Sequence, residues 1–98
     1  MKKVGFSRRA ERDLVDIWEW VAQDNVDAAD EIIARIRKAI NDAAAMPGIG
    51  HARPDIANAR YRFLVVYSYL IAYRVRGSKL TVVRVVHGAR DLAKLFKR

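Results

Sequence analysis

A β-branched run near the C-terminus, Leu80-Thr81-Val82-Val83-Arg84-Val85-Val86-His87, constrains the fold more than any other stretch. Valine and threonine suit a pleated, buried surface, so the run reads as a strand. It carries one arginine, and a buried cation needs a partner. A His-Gly-x-Arg-Asp junction, His87 to Asp91, closes it and brings Arg84, His87 and Arg90 close together in sequence. Two further strands precede it, Arg60 to Val66 and Tyr69 to Arg76. Gly77-Ser78 makes a two-residue hairpin turn, with Gly77 supplying the positive φ. That turn sets Arg76 opposite Lys79, Tyr73 opposite Val82, Ile71 opposite Arg84 and Tyr69 opposite Val86. Both faces of the resulting hairpin carry apolar side chains, so the sheet needs two covers. A helical hairpin supplies one. A partner protein, or a second face left half-buried, accounts for the other.

The first half of the chain is helical by period. Lys3 to Phe6 is a short strand, and Ser7 is a good N-cap for the helix after it. Ala10, Leu14, Ile17, Trp18 and Val21 recur at helical spacing, with Asp13, Asp16 and Glu19 placed on the opposite side. This helix ends near Gln23-Asp24-Asn25. A second runs from Asp27 to about Ala45 on a stripe of Ala29, Ile32, Ile33, Ile36, Ala39, Ile40 and Ala43. Met46-Pro47-Gly48 stops it, and residues 46–59 form a loop with two glycines and two prolines. The tail, Ala89 to Arg98, reads as a short helix with Leu92, Leu95 and Phe96 on one side. The expected fold is α+β: an N-terminal strand, an α-helical hairpin packed on a mainly antiparallel sheet, and a short C-terminal helix, in a single domain over residues 1–98.

Charge divides the chain. Residues 1–50 carry eight Lys/Arg and nine Asp/Glu, a net −1, whereas residues 51–98 carry eleven and two, a net +9. A basic half suits either a nucleic-acid or phosphate surface or an acidic protein partner. No cysteine is present, so there is no disulfide framework and no thiolate zinc site, in keeping with a reducing cytoplasm. The N-terminus lacks the apolar core of a signal peptide, and no run reaches the length of a membrane span. Neither a cofactor nor a metal is expected.

Several segments together resemble the RelE/ParE superfamily of toxins, the toxic halves of bacterial toxin–antitoxin pairs. Ser7-Arg8-Arg9-Ala10 with Asp13-Leu14-x-x-Ile17-Trp18 resembles the first helix of ParE-type members. Met46-Pro47-Gly48-Ile49-Gly50 with Arg53-Pro54 resembles the loop after their second helix. Tyr69 to Val75 and Val83 to Asp91 resemble the last two strands and the junction beyond. The resemblance implies a toxin of a type II system, with a cognate ParD-like antitoxin whose acidic C-terminal segment wraps it in a hetero-oligomer. For ParE-type members it implies growth arrest through binding of DNA gyrase. For RelE-like members it implies a ribosome-dependent mRNA endoribonuclease.

Cleavage of RNA by its own 2′-hydroxyl needs a base, an acid and cations that stabilise the phosphorane. Arg84 and His87 are the residues this chain offers. No tyrosine follows Tyr73, so the aromatic acid/base group that the resemblance places near the end of nuclease members is missing. His87 reads equally as a structural group capping the last strand. Arg84 reads as a contact to target or antitoxin, or as one half of a pair in which Arg84 or Arg90 holds Asp91. His51 stands in its loop without a companion ligand. Trp18 falls on the apolar stripe and reads as core. Trp20 falls off it, as a binding anchor or as a ring laid flat across the helical hairpin. The residues expected to bind target or antitoxin are Trp20, Arg74, Arg84, His87, Arg90, Leu92, Leu95 and Phe96, with toxicity assigned to the basic, amphipathic tail. A chain that only binds its antitoxin and has lost toxicity is a third reading.

Overall fold

Two side-chain caps open the helices. Ser7 Oγ accepts from the Ala10 amide at 3.0 Å, and Asn25 Oδ1 accepts from the Ala28 amide at 3.0 Å, each satisfying a donor that the first turn leaves free. The computed structural model describes residues 2–58 and 60–88. Strand β1 (Lys3–Phe6) leads into α1 (Arg8–Ala22), and three residues later α2 (Val26–Ala45) returns antiparallel. A single 3-10 turn, Pro47–Ile49, precedes the meander β2 (Arg62–Val66), β3 (Tyr69–Arg76) and β4 (Lys79–His87). The sheet order is β1-β4-β3-β2, with β1 parallel to β4 and the other pairs antiparallel. This is the expected α+β architecture. The expected terminal helix lies outside the described residues.

The Arg76–Lys79 turn forms as the sequence dictates, with Gly77 at φ +55°. From there Tyr73 meets Val82 as expected, but the register then slips by one. Ala72 faces Arg84, Ile71 faces Val85 and Tyr69 faces His87. A β-bulge inserts Val83 as the extra residue, and past it every side chain of β4 changes face. The expected pairings of Ile71 with Arg84 and Tyr69 with Val86 are therefore corrected. Val85 turns in towards the helices and Val86 out to the second face.

The main core lies between the helices and the sheet. Ile36, Ile40, Leu14 and Ile17 pack on Ile71, Tyr73, Leu80, Val82 and Val85. The second face is partly closed from within the chain. Ile56, brought over by the loop, and Tyr61 pack on Phe63, Leu70, Ala72 and Val86. The cover that the sequence pattern assigned to a partner or left half-empty is thus supplied in part by the Pro-Gly loop. That loop also delays β2, which starts at Arg62 instead of Arg60, because Asn58 draws the Arg60 and Tyr61 amides into a turn.

Tyr73 ties the loop to the core. Its hydroxyl donates to the Pro47 carbonyl at 2.6 Å and accepts from the Gly50 amide at 3.0 Å, with the ring 1% exposed. A Cβ on Gly50 would meet the Tyr73 ring at 2.5–2.9 Å, so the glycine there is required by close approach. Tyr73→Phe removes both bonds and strands a buried amide. It is expected to cost about 2 kcal/mol, read by urea denaturation.

Two helix residues sit differently from the sequence expectation. Trp18, expected in the core, is at the surface (36% exposed) and donates from its indole Nε1 to Asp30 Oδ1 on α2 at 2.8 Å. A ring with one polar edge does better bridging the two helices than fully buried. Asp13, expected in solvent, is buried at 6% exposure. The reason lies in the sheet.

Candidate functional site

Strand β1 pairs with β4 only as far as Phe6 and Val82. Beyond that point β4 would run on as a bare edge carrying an arginine. Helix α1 replaces the missing strand with side chains. The Ser7 amide donates to the Val82 carbonyl at 2.9 Å and its hydroxyl to the Val83 carbonyl at 2.7 Å. Asp13 Oδ2 accepts from the Val85 amide at 2.9 Å and from Arg84 Nε at 2.8 Å, and Oδ1 from Arg84 Nη2 at 3.3 Å. Arg9 stands 3.8 Å from the same carboxylate on the solvent side. The bulge, the buried carboxylate and the lone arginine form one unit, and Arg84 is 11% exposed within it. Ser7→Ala would lose the cap and the Val83 bond together. The expected cost is about 1–2 kcal/mol, measured by thermal unfolding.

Arg9, Asp13 and Val85 of this knot help line a groove of about 390 Å³ between α1 and the far ends of β3 and β4. Trp20 stands at its rim, 72% exposed. His87 and Tyr69 meet edge to face across it, with ring centres 5.5 Å apart. The Gly88 amide donates to the Ser68 carbonyl at 2.7 Å, fixing where the tail departs. The turn before Tyr69 places Tyr67 at φ +52°, a left-handed conformation strained for a bulky side chain. Its ring reaches α2, with the hydroxyl on Glu31 at 3.3 Å and the Arg35 guanidinium 6.0 Å over the ring.

The expected binding residues separate into two places. Trp20 and His87 line the groove, whereas Arg84 does not line it and is paired with Asp13, which does. Among the described residues Arg84 pairs with Asp13; the reading in which Arg84 or Arg90 holds Asp91 lies outside the described residues. Arg74 is at the opposite end of the sheet, beside Thr81. Arg90, Leu92, Leu95 and Phe96 lie outside the described residues. His51 serves through its backbone, which pairs with Phe63 at 2.8 Å in both directions. In the loop, Arg53 binds Asp55 through two hydrogen bonds of 2.9–3.0 Å, which hold the Asp55 carboxyl below its ordinary range. Asp13 is the residue that sequence reasoning missed. The signal was present, because Ala10, Asp13, Leu14 and Ile17 share one face at i, i+3, i+4 and i+7.

The sequence profile of the family described as "ParE toxin of type II toxin-antitoxin system, parDE" matches residues 4–92 of the chain. The chain belongs to the ParE toxin family. Its curated relatives agree with that membership. It is 34% identical over 88 residues to Toxin ParE1 of Caulobacter vibrioides, covering 89% of this chain and 90% of the relative. It is 36% identical over 88 residues to Toxin ParE1 of Mycobacterium tuberculosis, covering 88% and 89%. Among solved structures, the chromosomal ParDE system of P. aeruginosa shares the fold of this ParE-family toxin, with a TM-score of 0.73 at 20% identity. That match covers 89% of this chain and 96% of the other. A conserved hypothetical protein of Helicobacter pylori superimposes with a TM-score of 0.52 at 14% identity, over 92% and 98% of the two chains. Membership of a type II family gives the toxin an antitoxin partner.

Proposed function

We propose that this ParE-family toxin arrests growth in the cytoplasm by binding DNA gyrase, without catalysis of its own, and that its antitoxin neutralises it by laying an acidic segment across the groove. The observation that carries this reading is the commitment of Arg84. Its guanidinium is nearly buried and bonded to Asp13, so it is not free to stabilise a phosphorane beside His87. The alternative, an mRNA endoribonuclease, loses the cation it needs there. Trp20, a large exposed ring at the rim of a groove, has the character of an interface anchor.

Expression in cells with and without the cognate antitoxin tests the proposal. The expected result is filamentous cells with broken DNA, rescued by the antitoxin. An immediate stop in translation with cut mRNA would contradict it. Trp20→Ala is expected to weaken antitoxin binding by about thirtyfold, corresponding to about 2 kcal/mol, while changing unfolding stability by less than about 0.5 kcal/mol. Titration calorimetry and urea denaturation of the same variant check the two halves of that statement.

A further inference from the structure

The end of the sheet remote from the tail carries a different chemistry. There β1, β2 and β4 begin and β3 ends, and each of them contributes cations. Lys3 on β1 is in register with Lys79 on β4, which is in register with Arg76 on β3. Arg74 follows one row in, opposite Thr81. These four positions alternate with Val4, Leu80 and Val75, which pack in the main core, so they belong to the face away from the helices. The Pro-Gly loop covers the other half of that face through Ile56, and among the described residues that second apolar cluster does not extend to this half. Lys3, Arg76 and Lys79 are exposed and Arg74 is half-buried, with only Gly5 and Thr81 between them. At the β2 edge a groove of about 430 Å³ also brings in Arg60 and Arg62, the latter in register with Tyr73 and so on the helix-side face, beside Arg74.

Like charges directly opposite each other in a sheet are destabilising. Here three cations share one row, and among the described residues no carboxylate is paired with them. The chain holds no Asp or Glu between Arg60 and Gly88, and none of these six cations is in an ion pair among the described residues. Arg62 spends one donor on the Gly50 carbonyl, at 2.8 Å. An uncompensated row of this kind is a repulsion that a bound polyanion removes.

We infer that this platform binds the phosphate backbone of a polynucleotide. From β1 to β3 it spans about 10 Å, two interstrand spacings, and a duplex carries one charge per about 3.4 Å of axis on each strand. The platform therefore meets several phosphates at once. An acidic peptide fits less well. A segment that orders on binding needs apolar anchors besides charge; the uncharged residues among the strand cations are Gly5 and Thr81, and those lining the β2-edge groove are Pro47, Gly48, Tyr73 and Val75, of which Tyr73 and Val75 pack in the main core. Of the large exposed apolar side chains, Trp20, Val65 and Tyr67 are elsewhere, and Met46 and Ile49 flank the Pro47–Gly48 corner at the β2 edge, outside the row of Lys3, Lys79 and Arg76. The inference does not rest on gyrase being the target, and its test contains no gyrase.

The experiment is fluorescence anisotropy of a short labelled duplex DNA titrated with the full-length toxin, repeated between about 50 and 200 mM salt. The toxin is compared with two variants of equal charge. One combines Lys3→Gln, Arg74→Gln, Arg76→Gln and Lys79→Gln on the platform. The other combines Arg8→Gln, Arg12→Gln, Arg35→Gln and Lys38→Gln on the helices. Circular dichroism confirms that both fold, and single Arg76→Gln serves if the fourfold platform variant does not. The platform variant is expected to lose about tenfold or more in affinity, with the salt slope shallower by about 3–4, or by about 1 for Arg76→Gln alone. The helix variant is expected to keep most of its affinity and its slope. Equal losses in the two variants would reduce the effect to net charge and overturn the inference. So would a parent toxin that does not bind at low salt, or one that prefers a poly-glutamate peptide to the duplex.

Discussion

Asp13→Ala is expected to lower the unfolding free energy by about 3–5 kcal/mol, a large share of what a domain of this size possesses. The carboxylate answers three donors at once: Arg84 Nε, Arg84 Nη2 and the Val85 amide. Removing it leaves a guanidinium at 11% exposure without its partner and an edge amide without an acceptor. Asp13→Asn retains one acceptor and should cost less. The combined change Asp13→Leu with Arg84→Met should recover the part of the loss due to the stranded guanidinium, since a well-packed apolar pair often replaces a buried ion pair at little cost, while the Val85 amide stays without its acceptor. Urea denaturation of the three variants decides the matter. A loss below about 1 kcal/mol in Asp13→Ala would place the pair with ordinary surface salt bridges.

A chain ended after Gly88 is expected to fold and hold antitoxin yet fail to arrest growth. Both apolar clusters are built from the described residues, and the Gly88 amide is fixed by Ser68, so the shortened chain is expected to keep its fold. That segment, Ala89 to Arg98, carries four of the basic residues together with Leu92, Leu95 and Phe96. Its composition suits docking into a target far better than sealing the core. Colony counts after induced expression, with antitoxin pull-down as the control for folding, give the readout. Undiminished growth arrest by the shortened chain would assign toxicity to the groove or to the cationic end of the sheet.

The helices, the strands and the Gly77 turn were legible because each is written in local periodicity and turn chemistry. Ser7 and the stripe through Ile36 and Ile40 lie where those rules put them. The bulge at Val83 was not legible. A run of four Val residues around one Arg looks the same with or without an inserted residue, and only the end of β1 at Phe6 creates the edge that Asp13 closes. The partner of Arg84 lies 71 residues away in sequence, out of reach of any local rule. Trp18 misled for a related reason. Helical spacing placed it on the stripe, but spacing does not reveal that Asp30 on the neighbouring helix offers its indole a bond. The cationic end of the sheet was visible as net charge alone. Its concentration on one uncovered face emerges from the strand order.

The central claim, inhibition of gyrase by binding, is tested most directly by a supercoiling assay with purified gyrase and this toxin, run beside translation in a cell-free system. The expected result is loss of supercoiling or accumulation of cleaved DNA, reversed by antitoxin, with translation untouched. Normal supercoiling together with stalled translation and cut mRNA would contradict it.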